Sequence, residues 1–205
     1  MKHYFIGLTL ASAATTESGI AVIDRNNEII LLDKLFTMQD VRYFFDNFSS
    51  LKNSQICISL PLDNSMLNGK WRVLSKLYQQ LFLRSNFKNV DNWMQRYSTR
   101  GCEYFESLVK DDISINRFDL YLTRQALKLN SYFKERSPAD CKSLQNTLKM
   151  KYGFNLPSNM MPMAQLEAIT GAVLAKKISE EKESKEKIEQ ELFEFNGISV
   201  IRGTN

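Results

Sequence analysis

The feature that most restricts the fold is the segment Tyr4-Phe-Ile-Gly-Leu-Thr-Leu10, an almost unbroken apolar run close to the start of the chain. A strand with one wet face alternates apolar and polar residues, whereas a strand without alternation has both faces covered, as in the middle of an α/β sheet. A chain that contains such a strand needs helices on both sides of a sheet. With 205 residues, 43% of them hydrophobic, there is enough apolar material for one substantial core, and the expectation is a single domain over residues 1–205.

Further strand-like runs follow. Gly19-Ile-Ala-Val-Ile-Asp24 reads as a second strand, Arg25-Asn26-Asn27 has the composition of a turn, and Glu28-Ile-Ile-Leu-Leu-Asp-Lys-Leu-Phe36 reads as a third. Short connections between them predict an antiparallel meander. Thr37 with Asp40 three residues on has the pattern of a helix start, and Met38, Val41, Phe44, Phe45 and Phe48 recur at helical spacing. Gln55-Ile-Cys-Ile-Ser-Leu60, stopped by Pro61, is then a fourth strand, and a strand that follows a crossover helix is expected to pair in parallel, here with the first. The resulting order is β-β-β-α-β.

Residues 66–156 read as a mostly helical insertion, with a short strand within 113–122 and a helix between Pro138 and Pro157 that carries Leu144 and Leu148. A last long helix starts near Met163, with Leu166, Ile169, Ala172 and Val173 on one face, and continues into the charged run from Lys176, expected to be a solvated helix end or a loop. Gly197-Ile-Ser-Val-Ile201 closes the chain as a strand.

Composition excludes several chemistries. His3 is the sole histidine, so mechanisms needing two imidazoles are ruled out and Ser-His or Cys-His nucleophiles are disfavoured. Cys57, Cys102 and Cys141 are too scattered for a disulfide framework or a zinc knuckle. Neither GxxxxGK(S/T) nor GxGxxG occurs, so no phosphate-cradling loop is signalled. No signal peptide and no run of about 20 apolar residues is read. A soluble, cytoplasmic protein that does not engage the membrane is the expectation. Charge is uneven: residues 70–100 hold seven basic groups, Arg72, Lys76, Arg96 and Arg100 among them, against Asp91 alone. That stretch is the best candidate for a surface facing an anion such as nucleic acid.

Five short patterns follow one another along nearly the whole chain: Gly7-Leu-Thr-Leu-Ala11, Ile58-Ser-Leu-Pro-Leu62, Arg100-Gly-Cys-Glu103 with Leu108, Glu167-Ala-Ile-Thr-Gly-Ala-Val-Leu-Ala175 and Asn196-Gly-Ile-Ser-Val-Ile201. In this order, and with the β-β-β-α-β core, the chain resembles the ribonuclease H-like superfamily and, within it, the predicted-nuclease family catalogued as a domain of unknown function. The resemblance implies a mixed sheet with a helical insertion and a C-terminal helix. It also implies a cleft where carboxylates of strand one, strand four and the last helix hold two divalent cations. At those positions this chain has Thr9, Ser59 and Glu167. A neutral hydroxyl is a poor ligand for a hard cation such as Mg²⁺, whose site needs negative charge to offset partial dehydration. Only Glu167 keeps the required chemistry, with Glu17 or Asp63 as possible supplements from neighbouring loops.

The expected function is therefore a catalytically degenerate member of the family that binds nucleic acid or a protein partner, with no cofactor. The alternatives are an active Mg²⁺- or Mn²⁺-dependent nuclease with a displaced ligand set, and a structural or assembly subunit.

Overall fold

The computed structural model describes residues 2–9, 17–59, 113–118, 120–134, 136–184, 191–195 and 198–202. Strands β1 (Tyr4–Thr9), β2 (Ser18–Ile23) and β3 (Ile29–Leu35) form the antiparallel meander, and β4 (Ser54–Ser59) returns in parallel beside β1. The chain crosses from β3 to β4 through helix α1 (Met38–Asn47), which begins at the capping box read from the sequence. There the Thr37 hydroxyl accepts from the Asp40 N–H at 3.1 Å, and the Asp40 carboxylate accepts from the Thr37 N–H at 2.7 Å.

Beyond β4 come β5 (Ser114–Phe118), α2 (Leu120–Ala126), α3 (Pro138–Tyr152), α4 (Met163–Ser184), β6 (Glu191–Phe195) and β7 (Ile198–Arg202). The result is an α/β fold whose mixed sheet has the order β3-β2-β1-β4-β5-β7-β6. The charged run from Lys176 is helical through Ser184, as one of its two expected forms has it, with Lys177 and Glu180 exposed and Ile178 and Ser179 buried. One expectation needs correction. Glu191–Phe195, not read as a strand, pairs antiparallel with β7. The region expected as a helical insertion contains β5, α2 and α3, and its residues 66–112 lie outside the described ones.

Alternation along each strand sorts the core into two layers. Ile6, Leu8, Ile20, Val22, Ile56 and Ile58 face α1 and bury Val41 and Phe45. Phe5, Ala21, Ile23, Cys57 and Phe118 face the other way, against Leu144 and Leu148 of α3 and Leu166, Ile169 and Val173 of α4. Both faces of β1, β2 and β4 are covered, which is the physical reason their sequences do not alternate. Each such fully buried aliphatic side chain contributes about 1.5–3 kcal/mol relative to exposure.

Helix α4 lies so close to β1 and β2 that only glycine fits beneath it. A Cβ on Gly7 would stand 1.9 Å from the Ala168 carbonyl oxygen, and one on Gly19 would stand 1.9 Å from that of Ala164. The far end of the sheet is tied to the same helix. Lys176 donates to the Arg25 carbonyl at 2.7 Å and to the Asn27 side chain at 2.8 Å, which pins the β2–β3 turn to α4.

Candidate functional site

Thr9 and Ser59 end β1 and β4 and stand opposite one another in the parallel register. Adjacent strands run about 4.8 Å apart. Both residues fall on the α4 side of the sheet by alternation with Phe5 and Cys57, and both are buried. They thus occupy the carboxyl ends of two parallel strands, where open α/β sheets characteristically bind ligands. The Thr9 hydroxyl donates to the Ala164 carbonyl oxygen at 3.2 Å. Glu167 lies three residues further along α4, a rise of about 4.5 Å. The strand ends and the helix therefore bring these three positions to one end of the sheet.

The chemistry of the three differs from that of a cation site. Glu167 is 4% exposed and accepts from the Arg136 guanidinium at 2.8 Å, so its carboxylate faces a cation that the chain itself supplies. The Thr9 hydroxyl spends its proton on α4. Among the described residues there is no group of three or more His, Cys, Asp or Glu side chains that could hold a metal ion. Glu17 is ion-paired with Lys34 of β3 at 3.1 Å. The donor set among the described residues, one carboxylate already matched by an arginine and two hydroxyls, does not fit Mg²⁺ or Mn²⁺. Arg72, Lys76, Arg96, Arg100, Asp63, Cys102 and Glu103 lie outside the described residues.

Arg136 is held in place by a polar network that the sequence alone does not reveal. The Arg124 guanidinium meets the Asp140 carboxylate through two hydrogen bonds, 2.6 and 3.1 Å, with both side chains at least 96% buried. Asp140 also accepts from the Ser131 hydroxyl at 2.6 Å and from the Arg136 N–H at 2.9 Å. Arg136 adopts a left-handed backbone, φ +60°, an arrangement that costs a non-glycine residue about 1 kcal/mol or more and persists only when neighbours fix it. Burial pushes the Asp140 carboxyl up, but the hydrogen bonds from Arg124, Ser131 and Arg136 outweigh it and hold its pKa below the ordinary carboxylate value. Cys141, next in the chain, is pushed the other way by burial and by the negative charges of Asp140 and Glu167, so it stays a thiol and is a poor nucleophile. Ser137-Pro138-Ala139-Asp140 carries a helix-start signature that marks half of this network. Nothing local marks Arg124, which meets Asp140 only in the folded chain.

No protein-family model and no curated protein matches this chain, so what the site can do is argued from its own side chains.

Proposed function

We propose that this chain is a catalytically degenerate protein of the ribonuclease H-like kind, acting as a binding module for nucleic acid or a protein partner. The observation that carries the reading is the Arg136–Glu167 ion pair. Among the described residues, the carboxylate at the ends of β1, β4 and α4 is that of Glu167, and a guanidinium faces it, so the charge that would attract a divalent cation there is already met. The antiparallel meander, the helical crossover to a strand parallel with β1, and the helix seated across β1 and β2 support the fold half of the reading. Two-metal phosphodiester chemistry depends on converging carboxylates, and hydroxyls at Thr9 and Ser59 do not supply them.

The test is cleavage. The full chain, incubated with single-stranded, duplex and structured nucleic acid in Mg²⁺ or Mn²⁺, is expected to leave all of them intact. Cleavage that Glu167→Ala abolishes would overturn the reading in favour of an active nuclease.

A further inference from the structure

The connection between α2 and α3 presents two adjacent aromatic rings to solvent, Tyr132 at 108% and Phe133 at 57% relative exposure. Lys128 and Lys134, also exposed, flank them in the chain. Two neighbouring rings held in water are unfavourable unless something covers them, and exposed aromatic clusters on folded proteins mark contact sites.

The backbone that carries these rings is fixed. Leu129 N–H donates to the Arg124 carbonyl at 2.7 Å, the Ser131 hydroxyl donates to buried Asp140, Phe133 N–H donates back to the Ser131 hydroxyl at 3.3 Å, and Arg136 N–H donates to Asp140. Asp140 is itself anchored by buried Arg124. The rings therefore stand on a segment pinned on either side of them, and a ligand that stacks on them does not have to order the loop first.

Charge decides which ligand fits. Among the described residues, the Asp140 and Glu167 carboxylates bonded to this part of the chain meet Arg124 and Arg136 and are buried. The exposed charged side chains among the described residues here are cationic, Lys128 and Lys134 together with Lys151, whose ammonium reaches the Leu127 carbonyl at 2.6 Å. In sequence, residues 128–136 hold three cations against Glu135 alone. Aromatic faces beside lysines suit a polyanion with exposed π-faces. Unpaired bases stack on such rings while ammonium groups meet the phosphates, whereas a duplex keeps its bases inside. We infer that the Tyr132–Phe133 connection is a stacking platform for single-stranded nucleic acid, a partner class that makes the proposed binding role specific and rests on it. Arg136 joins this platform to the Thr9–Ser59–Glu167 end of the sheet.

The experiment is fluorescence anisotropy of a labelled single-stranded homopyrimidine oligonucleotide and its matching duplex, titrated with the full chain at several salt concentrations. The single strand is expected to bind more tightly than the duplex. Tyr132→Ala combined with Phe133→Ala should weaken single-strand binding roughly five- to hundred-fold, and Tyr132→Phe, which keeps the ring face, should stay within about two-fold of the parent. Lys128→Ala with Lys134→Ala should lower the slope of log affinity against log salt by about 0.7 for each phosphate that a lysine no longer neutralises. Tyr43→Ala, an exposed aromatic on α1, is the control that should change nothing. Because these side chains are exposed, unchanged circular dichroism should certify that the variants fold. Single-strand binding that ignores the ring substitutions overturns the platform and leaves the binding role standing. Absence of any single-strand binding overturns the platform and points the binding role to a protein. Metal-dependent cleavage that needs Glu167 overturns the proposed function itself.

Discussion

Arg124 and Asp140 form a two-pronged ion pair between α2 and the first turn of α3, almost wholly out of solvent. Removing one member strands the other charge, which typically costs about 3–5 kcal/mol, whereas replacing both by apolar residues of similar volume is often neutral. Asp140→Ala or Arg124→Met alone should therefore destabilise the protein by about 3–5 kcal/mol. The double variant Arg124→Met with Asp140→Leu should cost clearly less than the sum of the single ones. Urea denaturation of the four proteins gives the coupling. Additive losses would mean that the pair contributes only through packing.

The two aspartates at helix starts, Asp40 and Asp140, tie stability to acid pH. Both have folded pKa values below the ordinary 3.8, Asp40 through the hydrogen bond from the Thr37 N–H first of all, then the Thr37 side chain and the Phe36 N–H. A carboxyl depressed on folding binds protons less readily in the native state, so its contribution is complete above the unfolded value and is lost as pH falls through the folded one. Stability measured by urea unfolding should thus decline as pH drops below about 4. Asp40→Asn, at the surface, should make that decline shallower while the plateau at neutral pH falls only modestly. An acid limb with the same slope in both proteins would show that other groups govern it.

Close approach of α4 to the sheet yields a ranking of glycine substitutions. At Gly7 the new methyl meets helix backbone, the Ala168 oxygen at 1.9 Å and the Ala172 nitrogen at 2.3 Å, so α4 must retreat. Gly7→Ala should cost about 3 kcal/mol or more, a fall in Tm of roughly 6–12 °C for a chain of this size. At Gly171 the methyl meets chiefly the Phe118 ring, at 2.9 and 3.0 Å, and a ring can turn where a backbone cannot. Alanine is also the better helix former by about 1 kcal/mol. Gly171→Ala should therefore be much milder, and equal losses at the two sites would contradict the backbone-contact account.

What the sequence reveals follows from where each constraint acts. The runs in β1, β2 and β4 are legible because both their faces are covered, and Thr37 with Asp40 is legible because a capping box is local. β6 escapes because Glu191 and Glu194 continue the charge of the preceding lysine and glutamate run, so composition masks the strand-like segment that carries Leu192, Phe193 and Phe195. At the site, Thr9, Ser59 and Glu167 are found only through the resemblance. Neither the hydroxyl donated to Ala164 nor the arginine set against Glu167 is visible before the chain folds, since their partners lie 155 and 31 residues away.

Arg136 supplies the last prediction, because its side chain is 64% exposed while its partner Glu167 is almost wholly buried. Taking away the guanidinium leaves a buried carboxylate short of one charge partner. Arg136→Ala should therefore lose about 1–3 kcal/mol at neutral pH, and adding Glu167→Gln should recover part of that loss because an amide needs no counter-ion. The same variant sharpens the test of the degenerate site. Thr9→Asp with Ser59→Asp in the parent places two carboxylates at the strand ends, but Arg136 still answers Glu167. Combined with Arg136→Ala, the three acids would share one end of the sheet without the Arg136 guanidinium at Glu167. Mn²⁺ should then raise the melting temperature of the triple variant while leaving the parent unchanged, since a bound ion stabilises the folded state in proportion to the logarithm of its concentration over its dissociation constant. Calorimetric titration of Mn²⁺ supplies a second reading independent of folding. If the parent gains as much stability from Mn²⁺ as the triple variant does, Arg136 does not stand in for a metal, and the electrostatic account of the site fails.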